Sequence, residues 1–239
     1  MKESNKTGYA ILGLCIFFGL ATLGYLLSHA AIQAKMVERS VTVKGLSERE
    51  YPADIVIWPI QFTLASNDLA DLYATIDEQA SAIRSFLEQN GISSGEITMA
   101  TPAIMDKSAQ SYGSDQAVQF RYTATQTVTV YSSHIDSVRQ VMGSLSGLGK
   151  KGIVITGGNY DSQTEYLFTK LNEVKPAMIE EATRQAREVA EKFAKDSKSS
   201  LGKIKRASQG QFSISARDKN NPHIKRVRVV STVEYYLSD

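Results

Sequence analysis

The sequence predicts an α+β fold: one apolar N-terminal helix, then an exported domain built on an antiparallel sheet with helices on one face. Three observations carry that expectation. No charged side chain occurs from Thr7 to Ala34, and the core of that stretch, Tyr9–Leu27, is continuously apolar or small. Between Asp54 and Thr156 the hydrophobic period switches in the order strand, helix, strand, strand, helix, strand, which is the order of a ferredoxin-like split βαβ unit. Beyond Pro176 come a long amphipathic helix and two terminal strands, the last of them Val-rich.

The first helix follows from length. At about 1.5 Å per residue, Tyr9–Leu27 nearly matches a hydrocarbon layer of roughly 30 Å. Signal-peptide apolar regions run only about 7–15 residues, so the length favours a retained anchor over a cleaved signal. Ser28-His29-Ala30 is a small-x-small site that keeps the cleaved alternative open. Either way, residues 1–34 form the anchor or signal, with Lys2 and Lys6 on the cytoplasmic side. Residues 35–39 form a polar linker and residues 40–239 the domain.

In the domain, Ser40–Gly45 reads as a short β-branched strand. Asp54–Ser66 reads as a longer one with Val56, Trp58, Ile60, Phe62 and Leu64 on its core face and an edge or bulge at Pro59. Asn67 or Asp68 caps a helix to about Gln89, with Leu69, Leu72, Ile76, Ala80, Ile83 and Leu87 on its inner stripe and Gly91 as its stop. Glu96–Ile104 is the third strand, followed by a polar loop over Met105–Asp115.

Val118–Tyr131 alternates most clearly. Val118, Phe120, Tyr122, Ala124, Val128 and Val130 face inward, while Gln119, Arg121, Thr123, Thr125, Thr127 and Thr129 face outward. Ser133-x-x-Asp136 resembles a capping box, and opens a helix through Ile135, Val138, Val141, Met142 and Leu145. Gly147 and Gly149 end that helix, and Gly152–Thr156 is a strand. In Tyr160–Leu171 a strand is placed at Glu165–Thr169.

Pro176 suits the first turn of a helix to about Lys198, with Ile179, Ala182, Ala186, Val189, Ala190 and Phe193 inside. Its outer face carries Glu180–Arg184, Arg184–Glu188 and Glu188–Lys192 at the ion-pair spacing. Lys203–Ile214 and Lys225–Leu237 are the last strands, the second with Val227, Val229, Val233, Tyr235 and Leu237 inward.

The chain resembles the SIMPL-domain family of bacterial envelope proteins. The resemblance rests on Val41-Thr42-Val43-Lys44-Gly45 before a long strand containing Asp54, Leu87-x-x-Asn90-Gly91-Ile92 with Ile97-Thr98, and Tyr122-x-Ala124. Ala182-x-x-x-Ala186 and Leu201-Gly202-Lys203-Ile204 complete it, over residues 40–238. It implies an α+β fold, an exported location and, in some members, ring-like self-assembly, and it supplies no catalytic residues. The domain is expected in the periplasm or outside the cell, held by a single pass in the bacterial inner membrane or, if cleaved, soluble in the periplasm. Two features depart from the family pattern: the long apolar helix, and a longer connection over Gly158–Leu171.

Composition narrows the function further. The net charge is +2, and removing Lys2, Glu3 and Lys6 leaves +1 for the remainder, so nothing general recommends nucleic acid as a partner. Cys15 is the only cysteine and lies in the apolar helix, which excludes a disulfide, a thiolate metal site and a cysteine nucleophile from the domain. The histidines are His29, His134 and His223, with no metal-ligand spacing, and surface roles are expected of the latter two. Gly157-Gly158 reads as a turn rather than an anion cradle.

Two basic clusters, Lys203, Lys205 and Arg206 and then Lys225, Arg226 and Arg228, lie on the two final strands, where they could form one patch, and read as charge protection of strand edges. A surface for a headgroup, a glycan or an acidic envelope partner is the sharper alternative. The expectation is therefore a non-catalytic, membrane-tethered envelope protein that self-assembles or binds a partner, with no catalytic, cofactor or metal residues. The resemblance adds a role in stress protection. The alternatives are an envelope hydrolase using carboxylates and a carrier of a small apolar ligand.

Overall fold

The computed structural model describes residues 6–37, 39–109, 119–157 and 162–238. The end of the expected 105–115 loop, Val118, Gly158, Tyr160 and Lys2 lie outside the described residues. In chain order the helices are α1 (Lys6–Val37), α2 (Leu69–Gln89), α3 (Ile135–Gly143), α4 (Ser146–Gly149) and α5 (Leu171–Asp196). The strands are β1 (Ser40–Pro52), β2 (Ile55–Ser66), β3 (Ile97–Met99), β4 (Ala103–Asp106), β5 (Tyr122–Ser132), β6 (Ile155–Thr156), β7 (Glu165–Leu167), β8 (Ser200–Gln209), β9 (Ser213–Ala216) and β10 (Ile224–Ser238). They divide into two compact units, and β1, α5 and β10 each contribute to both.

One unit comprises Arg49–Lys175 and Ser213–Val227. Its sheet has the order β3-β5-β2-β6, with every pairing antiparallel. This is the split βαβ arrangement that the element order predicts. Trp58↔Val130, Ile60↔Val128 and Phe62↔Gln126 pair across the centre, and their side chains share the buried face. Leu72, Ile76, Ala80, Ile83 and Leu87 of α2 and Val138 and Val141 of α3 join the same core. Each fully buried Ile, Leu or Val contributes roughly 1.5–3 kcal/mol relative to exposure. Asp68 caps α2, its carboxylate accepting from the N–H groups of Ala70 at 2.8 Å and Asp71 at 3.0 Å.

Pro59 sits in the sheet interior, paired with Thr129 of β5 on one side. On the other side β7 covers Ile55–Ile57 and β6 covers Gln61 and Phe62, leaving Trp58–Ile60 between them. The Thr63 N–H donates to Val154 on that second side, so strand alternation turns the nitrogen of Pro59 the same way, into the interruption. The proline therefore removes no ladder bond, which is how an interior strand tolerates it.

The other unit comprises Met1–Glu48, Pro176–Phe212 and Arg228–Asp239. Its sheet has the order β1-β10-β8, and α5 lays Ala186 and Ala190 against Val43, Val233 and Tyr235. The alanines bring the helix backbone so close that a Cβ at Gly45 would collide with the Ala182 carbonyl oxygen and the Ala186 nitrogen. Beyond Asp196, Lys198 adopts φ 55°, while the Ser199 N–H donates to Ala194 at 2.8 Å and closes the helix end.

Several expectations are corrected. β1 runs seven residues beyond Gly45, to Pro52. The strand expected over Glu96–Ile104 is two, because Met99 faces Val128 whereas Ala103 faces Thr125. One extra residue therefore bulges out beside Pro102, and the Gln126 amide donates to Ala100 there at 2.8 Å. The capping box at Ser133 does not form: His134 is the N-cap, without a side-chain bond, and the Ser132 hydroxyl accepts from the His134 N–H at 2.9 Å.

The expected strand over Gly152–Thr156 shortens to β6, and that over Lys203–Ile214 divides into β8 and β9. Helix α5 begins at Leu171, five residues before Pro176, which thus lies inside it at the boundary of the two units. Its buried stripe is Met178, Ala182, Ala186, Ala190 and Ala194, and Phe193 is 55% exposed. Leu69 is exposed too, at 41%.

Candidate functional site

Three features stand out from the packed cores: an apolar helix, a sheet edge and a cleft. Helix α1 contains a candidate membrane span, Gly8–Ala30, of 23 residues, none of it buried against the protein. Side chains such as Phe17, Leu20 and Leu27 are more than half exposed along it. It is long and apolar enough to cross a bilayer or to serve as a signal sequence. Cys15 lies on this helix, exposed.

The edge is β8, which closes one side of the β1-β10-β8 sheet. All ten of its residues are exposed except Leu201, which is half-buried. Its pairing with β10 is regular from Ser231↔Gln209 to Glu234↔Arg206, then slips between Glu234 and Tyr235 and again between Tyr235 and Leu237. Lys205 falls in the first slip. Its ammonium reaches Glu234 at 3.1 Å and lies over the Tyr236 ring at 5.6 Å from the centroid. The Ser40 hydroxyl donates to the same Glu234 carboxylate at 2.6 Å, so a polar chain crosses all three strands. The carboxylate pKa is lowered by the Ser40 hydrogen bond first and the Lys205 bond second.

This places the first basic cluster, Lys203, Lys205 and Arg206, on the edge as expected. The second does not join it. Arg228 lies six residues from Glu234 along β10, about 20 Å at strand rise, where it pairs with Glu48 at 3.6 Å. Lys225 and Arg226 belong to the other unit. The row Thr123, Thr125, Thr127 and Thr129 is half-buried and lies mid-sheet, since β5 has partners on both sides. It is the polar face of the sheet, as the alternation predicts.

The cleft lies within the split βαβ unit. It has a volume of about 380 Å³ and is lined by Pro52 and Ala53, by Ser133–Ser137 at the start of α3, and by His223. Both histidines of the domain thus line one depression, although 89 positions separate them in the chain. No sequence spacing signals this, because only the tertiary fold unites them. The His134 Nδ1 lies 3.3 Å from the Glu96 carboxylate, whose pKa is lowered first by the Ser132 hydroxyl. The His223 ring meets Tyr166 edge-on with centroids 6.0 Å apart, and burial, Arg139 and Arg217 lower its pKa.

The remaining carboxylates with resolved shifts all move towards the ionised form. Asp106 is held at about 2 by Arg121 and Ser108, and Asp218 at about 2 by Arg217 and Asn221. A general acid at neutral pH needs the opposite shift. Among the described residues, no three His, Cys, Asp or Glu side chains come together as a metal site. Gly157 follows β6 and faces open space.

A protein-family model, SIMPL, described as a protein of unknown function (DUF541), matches residues 41–233. No curated protein matches the chain.

Proposed function

The chain belongs to the SIMPL family, and we propose that it is a non-catalytic, membrane-tethered protein of the bacterial envelope that assembles edge to edge with copies of itself. In this reading α1 remains in the inner membrane and the domain stands on the periplasmic side. The observation that carries the reading is β8: a long edge strand, exposed on both faces, whose unpaired backbone groups suit an added strand.

Charge selects the partner edge. Pairing β8 with β8 of a second copy sets Lys203, Lys205 and Arg206 against the same three cations, and like charges across strands are destabilising. The opposite edge of the same sheet, β1, carries Lys44 and Glu48 within this unit, and so has no net charge. A β8-to-β1 contact is head to tail, and such contacts close into rings or extend as filaments. The downward pKa shifts of Glu96, Asp106, Asp218 and Glu234 disfavour these four as general acids at neutral pH.

Cysteine pairs test the geometry in the full chain, with Cys15→Ser as the background. Ser208→Cys combined with Thr42→Cys is expected to give oxidised ladders of several copies. Ser208→Cys alone is expected to stay monomeric on oxidation. Dimers from the single variant, with no ladder from the double, would reverse the head-to-tail assignment.

A further inference from the structure

We propose that His223 is a proton-sensitive latch, whose protonation frees the turn between β9 and β10 from the Pro52–Ala53 corner and opens the cleft. The turn is a closed unit. The Arg217 N–H donates to Ile224 at 2.8 Å, and the Asp218 carboxylate accepts from the N–H groups of Asn220 and Asn221, each at 2.9 Å. It is tied to β1 by the Arg217–Glu50 ion pair at 3.6 Å and to the corner by His223, whose carbonyl accepts from the Ala53 N–H at 2.8 Å. The ring of the same residue stands against Tyr166 of β7, which is only 8% exposed.

The groups around that ring decide the sign. Arg139 and Asp136 approach from α3, Arg217 and Asp218 from the turn itself, and Tyr166 from β7. His134, across the cleft, is engaged with Glu96. Asp218 is already occupied by Arg217, at 2.9 Å, and by the Asn220 and Asn221 amides. The Asp136 side chain is 92% exposed, so water screens it. Arg217 is itself paired with Asp218 and with Glu50 at 3.6 Å, and Arg139 with Asp136 at 3.8 Å, so the main cost of a proton on His223 is its half-buried setting beside Tyr166.

The folded pKa lies below the ordinary value of 6.5, with burial as the largest cause. The closed state is thus fully favoured above the unperturbed pKa. It is progressively disfavoured as the pH falls from there through the folded value. One proton limits the effect to at most about tenfold per pH unit.

Hydrogen exchange on the full chain in detergent, at pH 7.5 and pH 5.0 and corrected for intrinsic rates, tests the latch. Peptides covering residues 52–54 and 217–224 are expected to lose protection at pH 5.0, while those from α2 keep theirs. His223→Gln, which cannot take the proton, is expected to abolish the change, and His134→Gln to preserve it. An unchanged acid response in His223→Gln, or none in the wild type, would overturn the proposal. Should His223→Gln fail to fold, imidazole NMR titration of the wild type decides: a His223 midpoint below 6.5 supports the latch, and one at or above it removes the cause.

Discussion

At the residue scale, the informative positions are those where one atom decides the packing. Gly45 is the sharpest. No side chain fits between β1 and α5 there, because even a methyl group meets helix backbone rather than a movable side chain. Gly45→Ala must push α5 outward, and overpacking of this kind costs typically about 1–3 kcal/mol. Urea unfolding should show a lower midpoint for this variant, whereas Gly95→Ala, which meets nothing within 4 Å, should unfold close to the wild type.

The sequence signalled Gly45 only as the end of a strand. Its real role depends on which helix crosses it, and that is a tertiary fact. The same limit explains Phe193 and Leu69. Helical spacing places both near an apolar stripe, but the stripe's centre is set by the sheet beneath, and both fall on its rim. The Asp68 cap, by contrast, was legible, since its bonds reach only two and three residues along the chain.

At the element scale, local chemistry predicted existence and type better than ends. The central strands β2 and β5 and helix α2 follow their periodicity, because each buries one face of a single core. The sequence pattern shows the third strand as continuous, since a one-residue bulge leaves the alternation intact on either side of it. Helix α5 starts earlier than Pro176 suggests, at the expense of one intrahelical hydrogen bond.

Its other end offers a test. Lys198 holds the left-handed conformation that closes the helix, a conformation costing a non-glycine residue roughly 1–2 kcal/mol. Glycine removes that cost but adds about 0.5–1 kcal/mol of unfolding entropy. Lys198→Gly is therefore expected to raise stability by up to about 1.5 kcal/mol. Thermal melting checks it: a lower Tm would mean that the lysine side chain contributes more than its backbone costs.

At the scale of the whole molecule, the family and the α+β architecture were readable because many weak motifs recur in fixed order over residues 41–233. The surfaces were not. The two basic clusters do not merge, because strand order and register are invisible in a linear pattern. Among the described residues, the fold leaves the β8 edge exposed and buries none of the apolar span Gly8–Ala30.

The central claim, a tethered protein that assembles through its own edges, is tested most directly by the mass of the full-length protein extracted in detergent. Light scattering corrected for bound detergent is expected to give a defined multiple of the 26.2 kDa chain, three or more copies, with the N-terminal helix still attached. A particle of a single 26.2 kDa chain at micromolar concentration, or a mature chain that begins at Ala31, would contradict it.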